Sequence, residues 1–266
     1  MSDEETGLIY ANARYQDPKT SRWISSDPAM ADGLNWYSYV NNNPIKYKDP
    51  TGRTLVIDNG MTQEGMDDND RMLAEINSLS ETQYQFVLNT NTRKLSLAVD
   101  EKATEAMKKK IASGEEKRSS TYSSDINKLI ESEDTFTARY ATDEQEQFLA
   151  NDGGGRVESP SPGQVDITIS KNGSTNDPDN PLTYVGGGEV KASSAEVLMH
   201  EIIAHAAPRA TITNAYYAGS IYLGDVLTDM YSNDNSRIRE NIARREAGLR
   251  PIDESSAHQS IILKGK

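Results

Sequence analysis

Cysteine is absent from the 266 residues, and histidine and phenylalanine occur three times each. The lack of cysteine excludes disulfides, thiolate zinc sites and cysteine nucleophiles together, so any metal must be held by His, Asp or Glu. Long apolar runs are missing too: no stretch approaches the ~20 residues of a membrane-spanning helix, and Met1 is followed by acidic residues where a secretory signal would be basic and then apolar. Neither a membrane span nor a signal peptide is expected. Basic charge is scarce. With 28 Lys+Arg against 41 Asp+Glu the net charge is −13, which repels a phosphate backbone and argues against a nucleic-acid partner. Hydrophobic residues make up 35% and the mean hydropathy is −0.71, so a modest core with long polar loops is expected. The length suffices for one large domain or two small ones.

The first fifty residues differ from the rest. From Glu5 they read ETGLIYANARYQDPKTSRWISSDPAMADGLNWYSYVNNNPIKYKDPTG, crowded with Tyr and Trp, with Asp-Pro three times and Asn-Asn-Asn-Pro once. Aromatic and polar residues alternating between such turn signals predict short strands joined by tight turns. The pieces ETGLIY, ARYQDPKTSRWISSDP, NWYSYVNNNP and DPTG closely resemble the C-terminal end of the Rhs repeat-associated core, the module that ends the cocoon-like shell of Rhs and related polymorphic toxins. The resemblance implies a toxin following the shell, often released by self-cleavage just past the last Asp-Pro-x-Gly through aspartates of two Asp-Pro motifs. Matched residue by residue, these are Asp27 and Asp49. The chain departs from the family at both motifs: Asp27 opens Asp-Pro-Ala-Met instead of Asp-Pro-x-Gly, and Arg53 stands where Leu or Met is usual. An aspartate beside proline is also an ordinary turn residue, and that reading stands beside the self-cleaving one. Residues 1–53 are thus read as a remnant of the Rhs core, too short to encapsulate anything, and residues 54–266 as the toxin domain.

Past Arg53 the chain turns polar and helical. Met66 to Leu79 places Met72, Leu73, Ile76 and Leu79 at helical spacing, and Tyr84 to Leu97 forms two alternating runs about Asn-Thr-Asn, the pattern of a hairpin. Ala103 to Ile111 and Ile126 to Glu131 predict further helices, and Thr135 to Tyr140 and Gln164 to Ser170 predict strands. The last of these is a candidate edge for an extended substrate to pair with. Gly153-Gly154-Gly155 and Ser159-Pro160-Ser161-Pro162 read as loop, and Leu182 to Val190 as a strand broken by glycines.

One apolar helix carries the chemistry. Glu196 to Ala206 reads EVLMHEIIAHA and holds two of the three histidines. Ser193 and Glu196 fit a capping box and Pro208 predicts the stop, giving a helix over roughly Ser194 to Ala207 with no polar face. Two imidazoles and a carboxylate in such a setting need partners, because an unpaired buried polar group costs about 1–3 kcal/mol, and a metal would serve all three. A hydrogen-bonded core histidine is the plain alternative. The zinc-peptidase pattern is H-E-x-x-H, and here three residues separate Glu201 from His205. In a regular α-helix, positions i and i+5 lie about 140° apart. One π-bulge would return His200 and His205 to a common face.

The stretch resembles the dipeptidyl peptidase III type of zinc hydrolase, whose H-E-x-x-x-H replaces the shorter motif; six residues and a downstream glutamate carry the likeness, which supports a site rather than a homologous fold. No further histidine lies nearby, so a carboxylate from a later helix is the expected third donor. Ser236 to Gly248 reads SRIRENIARREAG, a helix ending at glycine. With HEIIAHA, the pieces Arg239-Glu240-Asn241, Arg244 and Gly248-Leu249-Arg250-Pro251 resemble metallopeptidase-like toxin domains found after Rhs cores, and by that match Glu240 is the third zinc ligand. Asp225, Asp229 and Glu246 are competing carboxylates, and an exposed glutamate on a charged helix is the plainer reading of Glu240.

The resemblances imply an α+β fold: a zincin-like metallopeptidase domain with a small antiparallel sheet and an active-site helix, preceded by the short β-rich Rhs remnant. Zinc on His200, His205 and Glu240 would serve peptide-bond hydrolysis of a protein or peptide substrate with Glu201 as general base. His258 and Tyr217 are candidate oxyanion donors, although Tyr216, Tyr217, Tyr222 and Tyr231 more often pack and His258 lies in a polar tail. Such a toxin would be delivered by a bacterial secretion system to a target cell and met by an immunity protein, or would stay in the cytoplasm as an orphan toxin end. Two other readings stand: an inert Rhs remnant that binds an immunity or shell protein, and a nuclease-type toxin.

Overall fold

The computed structural model describes residues 9–11, 14–17, 19, 22–24, 55–89, 94–132, 134–149, 153–161, 163–174, 182–210 and 233–254. Asp27, Asp49, Tyr216, Tyr217, Tyr222, Asp225, Asp229, Tyr231 and His258 lie outside them.

Near the N-terminus, β1 (Ile9–Ala11), β2 (Arg14–Asp17) and β3 (Arg22–Trp23) form an antiparallel three-stranded sheet in sequence order. The remaining strands are β4 (Leu55–Ile57), β5 (Tyr84–Asn89), β6 (Lys94–Val99), β7 (Thr135–Tyr140), β8 (Gly155–Ser161) and β9 (Gln164–Ile169). They make one six-stranded sheet in the order β5-β6-β4-β7-β9-β8. Pairs β4–β7 and β7–β9 are parallel and the other three antiparallel. The sheet is therefore larger than the small antiparallel one expected, and mixed. Its parallel pairs arise because helices cross over between β4 and β7 and between β7 and β9, whereas only β5–β6 and β8–β9 are joined by short turns.

Two expectations about strands are corrected. The Gly/Ser/Pro-rich stretch read as loop forms β8, tolerated because β8 is an outer strand and Pro160 sits beside the register break between Glu158 and Ser161, where a missing N–H disrupts little. Conversely, β9 is paired on both sides and offers no edge to a substrate. The stretch Leu182 to Val190 makes only the isolated bridges Thr183–Glu189 and Tyr184–Ile252.

The helices are α1 (Gln63–Leu79), α2 (Glu101–Ala112), α3 (Ser120–Ile130), α4 (Asp143–Leu149), α5 (Ser194–His200) and α6 (Asn233–Glu246). Side chains alternate along β7, where Phe136, Ala138 and Tyr140 are buried and Thr135, Thr137 and Arg139 are half-buried, so one sheet face carries the core. Upon that face lie Met72 and Ile76 of α1, Tyr122, Ile126 and Leu129 of α3, and Val197 and Leu198 of α5. Helix α6 buries Ala243, leaves Ile238 and Ile242 exposed, and rests on α3, where Asp125, fully buried, accepts two hydrogen bonds from Arg239 at 2.8 and 2.7 Å. The core thus fixes α5 from below and α6 from the side.

Candidate metal centre

Helix α5 begins with the expected capping box. The Glu196 N–H donates to Ser193 Oγ at 3.4 Å, and the Ser193 N–H donates to Glu196 Oε2 at 2.9 Å. Seven residues later the geometry changes: Glu201–Ala206 is π-helical, and the Ala207 N–H reaches back five residues to Ile202 O. The added residue brings the two imidazoles together, with ring centroids 5.3 Å apart and planes at 80°. The helix then continues over residues 207–210, through Pro208, where the sequence predicts a stop. Proline removes the donor for Ala204 O, and Ser236 Oγ of α6 approaches that carbonyl at 3.5 Å.

His200, Glu201 and His205 each offer one ligand atom, and these atoms all lie within 4.8 Å of one another. This is the group among the described residues that could hold one ion. Its chemistry suits zinc: imidazole nitrogens and a carboxylate, no sulfur, on a turn otherwise lined by Ile202, Ile203, Ala204 and Ala206 at 0 to 3% exposure. Glu201 itself is buried, and its carboxylate rests against Gly155 at the start of β8. A Cβ at Gly155 would stand 2.5 Å from Glu201 Oε1 and 2.8 Å from Cδ.

Glu240 reaches the centre from the other side. Its Oε2 lies 2.8 Å from His200 Nδ1 and accepts from Arg237 Nη1 at 2.9 Å, while Oε1 is 3.7 Å from Arg244 Nη1. Glu240 is 1% exposed. Burial alone would raise its pKa, but the charge and hydrogen bond of His200, with Arg237 and Arg244, hold the carboxyl down at about 2. Burial acts to lower the pKa of His200, and the pull of Glu240 and Glu201 outweighs it and raises it. The structure thus brings His200, Glu201 and His205 into one group and joins Glu240 to it through His200.

Several supporting residues lie in the pieces named from the sequence but had no role at the centre assigned there. Arg244 Nη2 donates to Glu196 Oε1 at 2.6 Å and its Nε to Arg250 O at 2.6 Å. Asn241 donates through Nδ2 to Ile252 O and accepts the Ile252 N–H, both at 2.8 Å, which docks the chain after α6 against that helix. Gly248, with φ 76°, makes the turn between them. Arg237 and Arg244 flank Glu240 at i−3 and i+4, a helical spacing legible in advance. The competing carboxylate Glu246 is engaged elsewhere, at the start of α3.

His200, Glu201 and Glu240 line a cavity of about 40 Å³ with apolar walls from Leu182, Val190 and Ile252. A larger open groove of about 340 Å³ runs along α3, lined by residues such as Ser120, Asn127 and Lys128 with no histidine, and we assign no chemistry to it.

No protein-family model matches the chain, and no solved structure matches it at a significant level. Similarity to curated proteins covers a short segment. The toxin subunit YenC2 of Yersinia entomophaga is 50% identical over 50 residues, 18% of this chain and 5% of the relative. The tRNA nuclease WapA of Bacillus subtilis strain 168 is 47% identical over 55 residues, 19% of this chain and 2% of the relative. The toxin protein Tse5 of Pseudomonas aeruginosa is 45% identical over 51 residues, 19% of this chain and 4% of the relative. The chain therefore shares about a fifth of its length with toxins and spans at most a twentieth of each of these three. Among the described residues no helix is long and apolar enough to cross a membrane.

Proposed function

We propose that this chain is the effector end of an Rhs-type polymorphic toxin and that its residues 54–266 hydrolyse peptide bonds with the help of zinc. The π-helical turn carries the reading: it gathers His200, Glu201 and His205 within 4.8 Å on a helix otherwise apolar and buried. A one-residue excess in spacing has little other use there, since π-turns favour functional sites. His200 and His205 would hold the ion, and Glu240, 2.8 Å from His200 Nδ1, would bring an acidic group against the first of them. When bound, zinc supplies Lewis acidity to the scissile carbonyl and to the water that attacks it. Glu201 takes the proton of that water at a carboxylate oxygen and passes it to the leaving amine. The apolar walls of the cavity limit competing water. A toxin of this kind acts after delivery into a target cell, and a cognate immunity protein would protect the producer.

The purified protein is expected to carry close to one zinc per chain, lost in His200→Ala or His205→Ala. Glu201→Gln should retain zinc while proteolysis and toxicity fall by ~10² or more, because the amide accepts no proton. Unchanged zinc content in both histidine variants would end the proposal. One named relative is a tRNA nuclease, so the same preparations are to be assayed on tRNA. RNA cutting that survives the loss of zinc and of Glu201 would favour the nuclease reading, which the net charge of −13 opposes. Stoichiometric zinc would count against an inert partner-binding remnant.

A further inference from the structure

Glu240 stands in a relation to the centre that the third-ligand reading does not describe. Donors to one zinc ion, each at 2.0–2.2 Å, lie no more than about 4.4 Å apart. Among the described residues the group that comes near this closeness, with ligand atoms within 4.8 Å of one another, is His200, Glu201 and His205, and Glu240 is not in it. Its contact is instead with His200 Nδ1 at 2.8 Å. An imidazole nitrogen that gives its proton to a carboxylate has no lone pair for a metal, so the face of His200 left for an ion is Nε2, across the ring from Glu240.

The carboxylate is itself fixed. Arg237 Nη1 donates to the same Oε2 at 2.9 Å, and Arg244 stands 3.7 Å from Oε1. Arg244 is tied in turn to Glu196 Oε1 and to Arg250 O, both at 2.6 Å. The side chains of Arg237 and Arg244 are 7% and 1% exposed. Two guanidinium groups thus stand against the carboxylates of Glu196 and Glu240, so Glu240 is held by partners other than His200.

We propose that Glu240 is a positioning residue that acts on the metal only through His200, holding Nδ1 so that Nε2 faces the ion, with Arg237 and Arg244 holding Glu240 in place. This rests on the zinc reading above but is separable from it. It assigns Arg237 and Arg244 to the centre and explains why α6 carries arginines on both sides of its glutamate.

The test uses the full chain, as wild type, Glu240→Gln and Arg237→Met, with cobalt(II) as probe. Positioning predicts that Glu240→Gln still binds cobalt with unchanged absorption bands, its affinity lower by roughly 10–100-fold, and that Arg237→Met shifts affinity the same way with the same bands. Altered bands in Glu240→Gln, with normal bands in Arg237→Met, would make Glu240 a direct ligand and overturn the proposal. A second readout needs no metal: the nitrogen-15 NMR spectrum of the metal-free wild type should show His200 carrying a proton at Nδ1 in a strong hydrogen bond. Arg237→Met should weaken that signal, and this holds even if Glu240→Gln does not fold. Absence of the signal in wild type rejects the proposal outright. If wild type shows it and yet takes up neither cobalt nor zinc, the hydrolase reading fails while the Glu240–His200 contact stands.

Discussion

At the scale of single residues, the run Gly153-Gly154-Gly155 divides its labour. Gly153 and Gly154 adopt φ of 77° and 96°, left-handed conformations that other residues avoid, and so make the turn into β8. Gly155 has no such φ. It is needed because Glu201 occupies the space where a Cβ would be, with Oε1, Cγ and Cδ at 2.5, 2.6 and 2.8 Å. Gly155→Ala is therefore expected to displace the carboxylate and, under the proposed function, lower hydrolysis by about 10²-fold, since a shift near 1 Å suffices for that loss. Overpacking should lower stability by about 1–3 kcal/mol, while zinc content stays at the wild-type level because neither histidine is touched. Activity and metal analysis on one preparation check this; full activity in the variant would mean that Glu201 does not work from the position it holds.

At the scale of elements, α6 meets α3 end to start. Glu246, the last residue of α6, accepts the Thr121 N–H at 2.9 Å and the Ser119, Thr121 and Ser120 hydroxyls at 2.8, 3.1 and 3.2 Å, placing a carboxylate on the positive end of α3. Burial alone would raise its pKa, but the Thr121 backbone and the three hydroxyls outweigh it and hold the carboxyl below its ordinary value. A carboxyl depressed in the folded state stabilises above its unfolded pKa of about 4.3 and loses that contribution as pH falls through the folded value. Glu246→Gln should thus be less stable than wild type at pH 7, with the gap closing on acidification below about pH 4.3. Denaturant melts across that range measure it; a gap independent of pH would show that the ion contributes nothing. The element scale also shows what the sequence disclosed. Alternation marked β5, β6, β7 and β9 and apolar spacing marked α1, because those patterns follow from each element's own burial. Helix α4, DEQEQFL, was not anticipated, since its seven residues show too little apolar spacing. Strand order was hidden, because nothing local tells β4 that its neighbours are β6 and β7. At the site, spacing announced the π-turn and composition announced the histidines. The grip of Glu240 on Nδ1 of His200 depends on where α6 lies against α5, which no local pattern encodes.

At the scale of the whole molecule, every residue assigned to the centre and its supports falls between Gly155 and Ile252, on elements packed around the six-stranded sheet. A chain beginning at residue 54 is expected to fold and to bind zinc with the stoichiometry and affinity of the full chain. Circular dichroism and metal titration of the shortened chain decide it: an unfolded product, or one that loses zinc, would show that the first fifty residues are needed for the fold.

Strand β8 carries a consequence for solubility. It is one of the two outer strands of the six-stranded sheet, the one beside the candidate centre, and an outer strand is where a second copy could add by strand pairing and start an aggregate. Pro160 supplies no donor there, the register breaks between Glu158 and Ser161, and Arg156 and Glu158 are exposed and paired at 3.1 Å. Copies that each carry a net charge of −13 also repel one another at a distance. Replacing Pro160 would restore a backbone donor to this outer strand and remove one of these obstacles to self-pairing.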